Sequence, residues 1–272
     1  MKKNLFLFLL YLVSLPAFCQ TFYQSVKDKG YKNLMKNGLT YVLTGDEKID
    51  GIMEEALKDE WKVCPYRIAN QGETLKEDDV QIKFLTDGYS SKTNQLTIVS
   101  EKELRGSRVN LYHTIATADI EWFGQAKTDI GPKYFIPYLI SAYNDMATKM
   151  NDNQIDKTWT SYFNKMHELY LPSAKVLKGK TLLITCHPNY INEAELKKAG
   201  IQYEFVSFDR FLELESKEPA NYCLLYFRPE MRASDVTIYN LQDKSIVYAR
   251  HSVKYIAKLD KEDINYITSS WK

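Results

Sequence analysis

Asn37-Gly38-Leu39-Thr40-Tyr41-Val42-Leu43-Thr44 and Lys178-Gly179-Lys180-Thr181-Leu182-Leu183-Ile184-Thr185 are the two stretches whose reading decides the fold. Each opens with a polar residue and a glycine, a turn signal. An apolar, β-branched run follows that is too short for a helix and reads as a buried strand. After Thr44 the spacing predicts a helix over Ile49 to Glu60, with Ile49, Ile52, Met53, Ala56 and Leu57 on one face. After Thr185 it predicts a shorter helix over Glu193 to Ala199. Each helix gives way to an alternating run, Trp61 to Ile68 in one case and Ile201 to Val206 in the other.

Working outward, the second stretch continues with a helix over Phe208 to Ser216 capped by Ser207. A strand over Tyr222 to Phe227 follows, then a hairpin of Val236–Tyr239 with Ser245–Ala249, and a last helix over Lys261 to Ser269 after Asp260. The first stretch continues with extended runs at Val80–Leu85, Gln95–Val99 and Val109–Ile120. Between them lie two helical patterns, Tyr134–Met150 and Lys157–Tyr170, separated by Asn151-Asp152-Asn153. The expectation is an α/β protein of two similar βαβαβ-type halves, the product of an internal duplication, linked by a helical hairpin. The boundaries follow as 20–130, 131–172 and 173–272, after a leader over 1–19.

That leader is read from Met1-Lys2-Lys3-Asn4, the apolar run Leu5 to Leu15, and Ala17-Phe18-Cys19. A positive end, a short apolar stretch and a small-x-small site make a secretory signal peptide. Its apolar stretch is too short to cross a hydrocarbon core about 30 Å thick. Cleavage is expected between Cys19 and Gln20, leaving a soluble, extracytoplasmic and most simply periplasmic protein. Acylation of Cys19 is the competing reading, but Pro16 and the bulky Phe18 are poor flanks for it.

Removing Lys2 and Lys3 leaves 34 basic against 35 acidic side chains, so the mature chain has no cationic excess to neutralise phosphates. Nucleic-acid binding is disfavoured. No later window is long and apolar enough for a transmembrane helix. A chain 44% hydrophobic and 13% aromatic can bury a real core. Cys64, Cys186 and Cys223 remain after the leader, each in or beside a strand-like run, and read as buried apolar side chains. If any bridge forms, it is Cys186–Cys223.

The site candidates are the two strand-to-helix turns. Thr44, Gly45 and Asp46 stand where an open α/β sheet offers free helix amides to an anion, and Gly45 would let a ligand approach the backbone. The competing reading is a helix cap, either a Thr44-x-x-Glu47 capping box or Asp46 alone. His187, next to Cys186, holds the equivalent turn. Adjacent residues on an extended strand face opposite ways, and no CxxC or HxxxH spacing accompanies them, so no metal and no cofactor is expected. No Gly-x-Ser-x-Gly elbow, HExxH or Walker pattern occurs, and no catalytic residue is assigned. Twenty tyrosines are the one compositional excess, and Tyr89, Tyr112, Tyr190, Tyr226 and Tyr239 could line a binding surface or serve as half-buried strand residues.

The Cys-Gln leader end, the Gly-x-Thr-apolar strands and the intervening helix pair together resemble secreted proteins of Bacteroidetes with tandem α/β halves. The resemblance brings no functional residues with it. It implies a binding or assembly role in the cell envelope, toward an envelope protein or a small ligand. The alternative is an exported hydrolase working at a cleft between the halves, with Asp46 and His187 at related strand ends.

Overall fold

The computed structural model describes residues 21–22, 29–86, 94–101, 114–119, 134–152, 166–229, 234–252 and 258–271. The first half places β1 (Thr21–Phe22), α1 (Lys29–Asn37), β2 (Leu39–Val42), α2 (Glu47–Glu60), β3 (Tyr66–Ala69), β4 (Val80–Thr86), β5 (Asn94–Ser100) and β6 (Thr114–Asp119) in sequence. Then comes α3 (Ile136–Asn151), and after it a 3-10 segment over Leu171–Leu177. The second half holds β7 (Thr181–Ile184), α4 (Glu193–Lys198), β8 (Gln202–Phe205), α5 (Phe208–Lys217), β9 (Tyr222–Pro229), β10 (Ser234–Asn240), β11 (Ile246–Ser252) and α6 (Lys261–Ser269). The fold is mixed α/β with two sheets.

The strand order is β1-β6-β5-β4-β2-β3 in one sheet and β11-β10-β9-β7-β8 in the other. Apart from the two-residue β1 on an edge, the two orders are the same. The senses match as well: β2 runs parallel to β3 and β4, as β7 does to β8 and β9. The next two pairings are antiparallel in both sheets. Parallel neighbours require a crossover, and the first is helical in each half: α2 in one, a 3-10 turn and α4 in the other. The second crossovers differ, since α5 joins β8 to β9 whereas residues 70–79 join β3 to β4 without a helix.

The glycines before β2 and β7 hold left-handed backbone, Gly38 at φ +83° and Gly179 at φ +86°. At Gly38 a second demand is added. A side chain there would meet the Pro65 carbonyl oxygen at 2.4 Å, the same carbonyl that accepts the Leu39 amide and starts the β2–β3 ladder.

Alternation along the strands then assigns the cores. Leu39, Tyr41, Val80, Ile82, Leu96 and Ile98 point to one face of the first sheet and bury against α1, α2 and α3. The same core receives Leu183, Leu224 and Tyr226 from the second sheet, with Phe211 and Leu214 from α5. The intervening residues Leu182, Ile184, Cys223, Leu225 and Phe227 enter a second core with Leu196 of α4 and Ile264 and Ile267 of α6. Covered on both faces, the central strands β7 and β9 read as nearly unbroken apolar runs, as such strands should.

α3 explains why one core serves both sheets. Ile136, Tyr138, Leu139, Ile140, Ala142, Tyr143, Met146, Ala147 and Met150 are all buried, which leaves little of the helix to solvent. Tyr143 donates its hydroxyl to the Leu96 carbonyl of β5 at 2.7 Å, while Phe135 stacks on Tyr226 of β9 at 4.8 Å. Asn144 accepts the Lys62 and Val63 amides just past α2, at 2.6 and 2.8 Å. Of the second helical pattern only residues 166–170 fall among those described, and they are helical. The extended run from Val109 is strand from Thr114 onward, with residues 109–113 and 120 outside the described set. Trp61–Ile68 is strand only from Tyr66, because Trp61 ends α2 and Cys64-Pro65 turns the chain.

Among the described residues no helix is long and apolar enough to cross a membrane.

Candidate functional site

At the first turn, Asp46 is the N-cap of α2. Its carboxylate accepts the Lys48 and Ile49 amides at 3.1 and 3.2 Å. The Thr44-x-x-Glu47 box is therefore not the cap. Thr44 uses its hydroxyl elsewhere: Oγ1 donates to Asp50 Oδ1 at 2.8 Å and accepts the Asp46 amide at 3.2 Å. The capping box in this chain is at α6, where the Asp260 carboxylate accepts the Asp263 amide and the Asp263 carboxylate accepts the Asp260 amide.

Asp50 organises this turn. It is buried on α2 in line with Met53, Ala56 and Leu57. Its carboxylate accepts four bonds: the Tyr41 hydroxyl at 2.7 Å, the Thr44 amide at 2.9 Å, the Thr44 hydroxyl at 2.8 Å and the Gly45 amide at 3.0 Å. Burial works to raise its pKa, but these donors prevail and hold it below the ordinary aspartate value. Tyr41 responds in the opposite sense, raised by burial and by its bond to Asp50. The signal for Asp50 was available in the sequence as a carboxylate within the apolar stripe of a helix, where a charge persists only if fully bonded.

The consequence for chemistry is direct. The amides that an anion would take at this strand end are held by the chain's own carboxylates, Thr44 and Gly45 by Asp50 and the α2 terminus by Asp46. Gly45 lies at φ +86°, and a side chain there would meet the Gln71 amide group at 3.1 to 3.3 Å. Gln71 Nε2 also donates to the Thr44 carbonyl at 3.3 Å. The close approach that Gly45 permits is used by Gln71.

His187 occupies the corresponding turn after β7. It is exposed, and its Nδ1 accepts the Asn189 amide at 3.2 Å, capping the 3-10 turn Pro188–Tyr190. The edge of its ring faces Tyr190 at 6.4 Å. Cys186 is buried and burial pushes its thiol up to about 12, so the two neighbours face different surroundings. Asn192 caps α4 through the Glu195 amide at 3.4 Å. Thr44, Gly45 and Asp46 thus come together around Asp50, while His187 makes its bonds in the other half.

Cys64, Cys186 and Cys223 are free and buried, and Cys64 and Cys223 are also raised by burial, to about 11 and about 12. The register shows why Cys186–Cys223 does not bridge. Cys223 lies opposite Leu182, four residues before Cys186 on the neighbouring strand. At about 3.3 Å per residue that offset exceeds disulfide reach. Among the described residues no group of three or more His, Cys, Asp and Glu side chains is placed to hold a metal ion. Of the tyrosines singled out, Tyr226 and Tyr239 are buried in the core around Phe135, at 4.8 and 5.6 Å from its ring; Tyr190 is half-buried against Phe227. Tyr89 and Tyr112 lie outside the described residues.

Set against protein-family models, curated proteins and solved structures, the chain matches none.

Proposed function

We propose that this chain is an exported, soluble protein of the cell envelope whose role is binding or assembly, not hydrolysis. One observation carries the reading: the polar groups at both strand-end turns serve their own backbone. Asp46 and Asp50 hold the amides of one turn, and His187 and Asn192 hold those of the other. A carboxylate and an imidazole engaged in caps are structural first, and the chemistry of a hydrolase would have to disrupt them. The leader over residues 1–19 supplies the address, and its likeness to Bacteroidetes exported chains supports a periplasmic location. The shared strand order and sense of the two sheets supports an internal duplication as the origin of the halves.

The test has two parts. N-terminal sequencing of the protein exported from cells should find Gln20 first; a lipid-modified Cys19 at the terminus would replace the free protein with a tethered one. Photo-crosslinking residues placed at the exposed positions Tyr66, Tyr134 and Val176 should give a discrete adduct in intact envelopes. Loss of a hydrolytic activity of the purified protein on Asp46→Asn with His187→Ala, with folding intact, would overturn the binding reading.

A further inference from the structure

Two polar pairs drawn from four separate elements lie within electrostatic range of each other where the halves join. Tyr138 of α3 sits in an aromatic stack with Phe135 at 5.2 Å, Tyr239 at 5.4 Å and Phe211 at 6.1 Å. Only its hydroxyl leaves that apolar setting, and it donates to Glu215 Oε1 of α5 at 2.7 Å. From the turn between β10 and β11, Lys244 reaches back to the first half, its ammonium 3.3 Å from Glu60 Oε1 at the end of α2. Both partners are largely shielded, with side chains 27% and 16% exposed.

Lys244 has an unusual backbone. At φ +55° it is the one non-glycine residue with positive φ among those described. Turn positions in this region favour Gly, Asn or Asp, and a long aliphatic side chain is disfavoured there. Such an outlier points to a role for the side chain, and here the side chain supplies the cation that crosses between halves.

We propose that Glu60, Tyr138, Glu215 and Lys244 form a proton-responsive joint between the two halves, closed most tightly when Glu215 carries a proton. With both carboxylates ionised, the one ammonium is paired with Glu60 and acts on Glu215 only from a longer range, so an uncompensated negative charge stays in the junction. A proton on Glu215 leaves Lys244 to Glu60 alone, in balance, while Tyr138 still donates to the carboxyl group. Burial raises the Glu215 pKa, and the Tyr138 bond and the Lys244 charge offset that only in part. The other charges nearby are committed elsewhere. Asp243 on the same turn bonds Asn240 and Ser245, Lys180 bonds Asn240, and Arg210, Glu213 and Lys217 pair with one another on the exposed side of α5. Cys223 of β9, which also acts on Tyr138, is a protonated thiol.

The sign follows. A carboxyl raised by folding adds stability below its unfolded pKa and loses it as pH rises through the folded one. The joint should therefore loosen toward alkaline pH. Hydrogen exchange of the full chain, comparing wild type, Glu215→Gln, Lys244→Met and Lys244→Arg at about pH 5 and about pH 8, reads this out. At the higher pH, Glu215→Gln should slow exchange in the first turns of α3, in α5 and in the 240–246 turn. The expected size is about tenfold for each unit by which the carboxyl is raised. At the lower pH, nearer the unfolded value of about 4.3, the gap between the two should narrow. Lys244→Met should speed exchange in the same segments, and Lys244→Arg should stay near wild type. The proposal is overturned if Glu215→Gln exchanges as fast as wild type at about pH 8. It is equally overturned if the slowing extends uniformly to α6, on the far side of the second sheet, since that is a change of global stability alone.

Discussion

Thr44 gives Asp50 both its amide and its hydroxyl, at 2.9 and 2.8 Å, so the residue two past the end of β2 is tied to the first turn of the helix that follows it. This pair fixes the angle between β2 and α2, and with it the entry of Met53 and Leu57 into the main core. Asp50→Ala should cost about 3 kcal/mol in denaturant unfolding, since it strands four donors at once and charge-assisted bonds contribute roughly 1.5–3 kcal/mol each without simple additivity. Asp50 is held below its ordinary pKa in the folded chain. Its contribution is therefore complete above about pH 4 and is lost as pH falls through the folded value. In Asp50→Asn the acid limb of the stability–pH curve should flatten. An unchanged limb would show that Asp50 does not govern it.

The paired glycines should separate in a stability measurement. Gly179→Ala carries the left-handed backbone penalty of about 1 kcal/mol and nothing more, because no atom lies within 4 Å of the added carbon. Gly38→Ala adds a collision with the Pro65 carbonyl, a backbone atom that also anchors the β2–β3 ladder. Its cost should reach roughly 2–4 kcal/mol. Equal melting temperatures for the two variants would contradict the close approach at Gly38.

In the second half, Arg250 of β11 pairs with Asp263 at 2.8 Å and with Glu262 at 2.9 Å. The Asp263 side chain is fully buried and Arg250 is 11% exposed, whereas Glu262 is 54% exposed. Burial opposes the Arg250 charge, but Asp263, the largest of the opposing groups, outweighs it together with Glu262 and Tyr248, and the guanidinium stays charged. Arg250→Met should cost about 3–5 kcal/mol by leaving a buried carboxylate uncompensated. Glu262→Ala should cost less than about 1 kcal/mol. Urea midpoints of the two variants give the comparison, and it fails if they shift equally.

The cysteines predict a labelling pattern. In a chain that starts at Gln20, native protein should react negligibly with a thiol reagent at neutral pH, because burial raises all three thiols. Denaturation without reductant should release three thiols. Release of only one would establish a disulfide that this geometry does not contain.

Local chemistry was readable from the residues alone. The Gly-led turns before β2 and β7, the apolar runs after them, the helix stripe ending at Leu57, and the caps at Ser207 and Asp260 each depend on a few neighbouring residues. Those preferences survive in the fold. The same reasoning left two caps open at α2, the Thr44-x-x-Glu47 box and Asp46, and the structure takes Asp46. Thr44 and Asp46 are equally good acceptors by type, and only the position of Asp50 on the buried face draws the Thr44 hydroxyl inward.

What the sequence by itself determined is the class of fold: two α/β runs of matching turn-strand-helix-strand pattern, because these patterns are written in spacings of a few residues. Tertiary structure alone decided that the helix after residue 135 lies between both sheets, that Cys186 and Cys223 are four residues out of register, and that Lys244 meets Glu60. Each of these joins segments far apart in the chain. Their register is set by which apolar faces bury together and which buried charges find partners, and no local spacing encodes that.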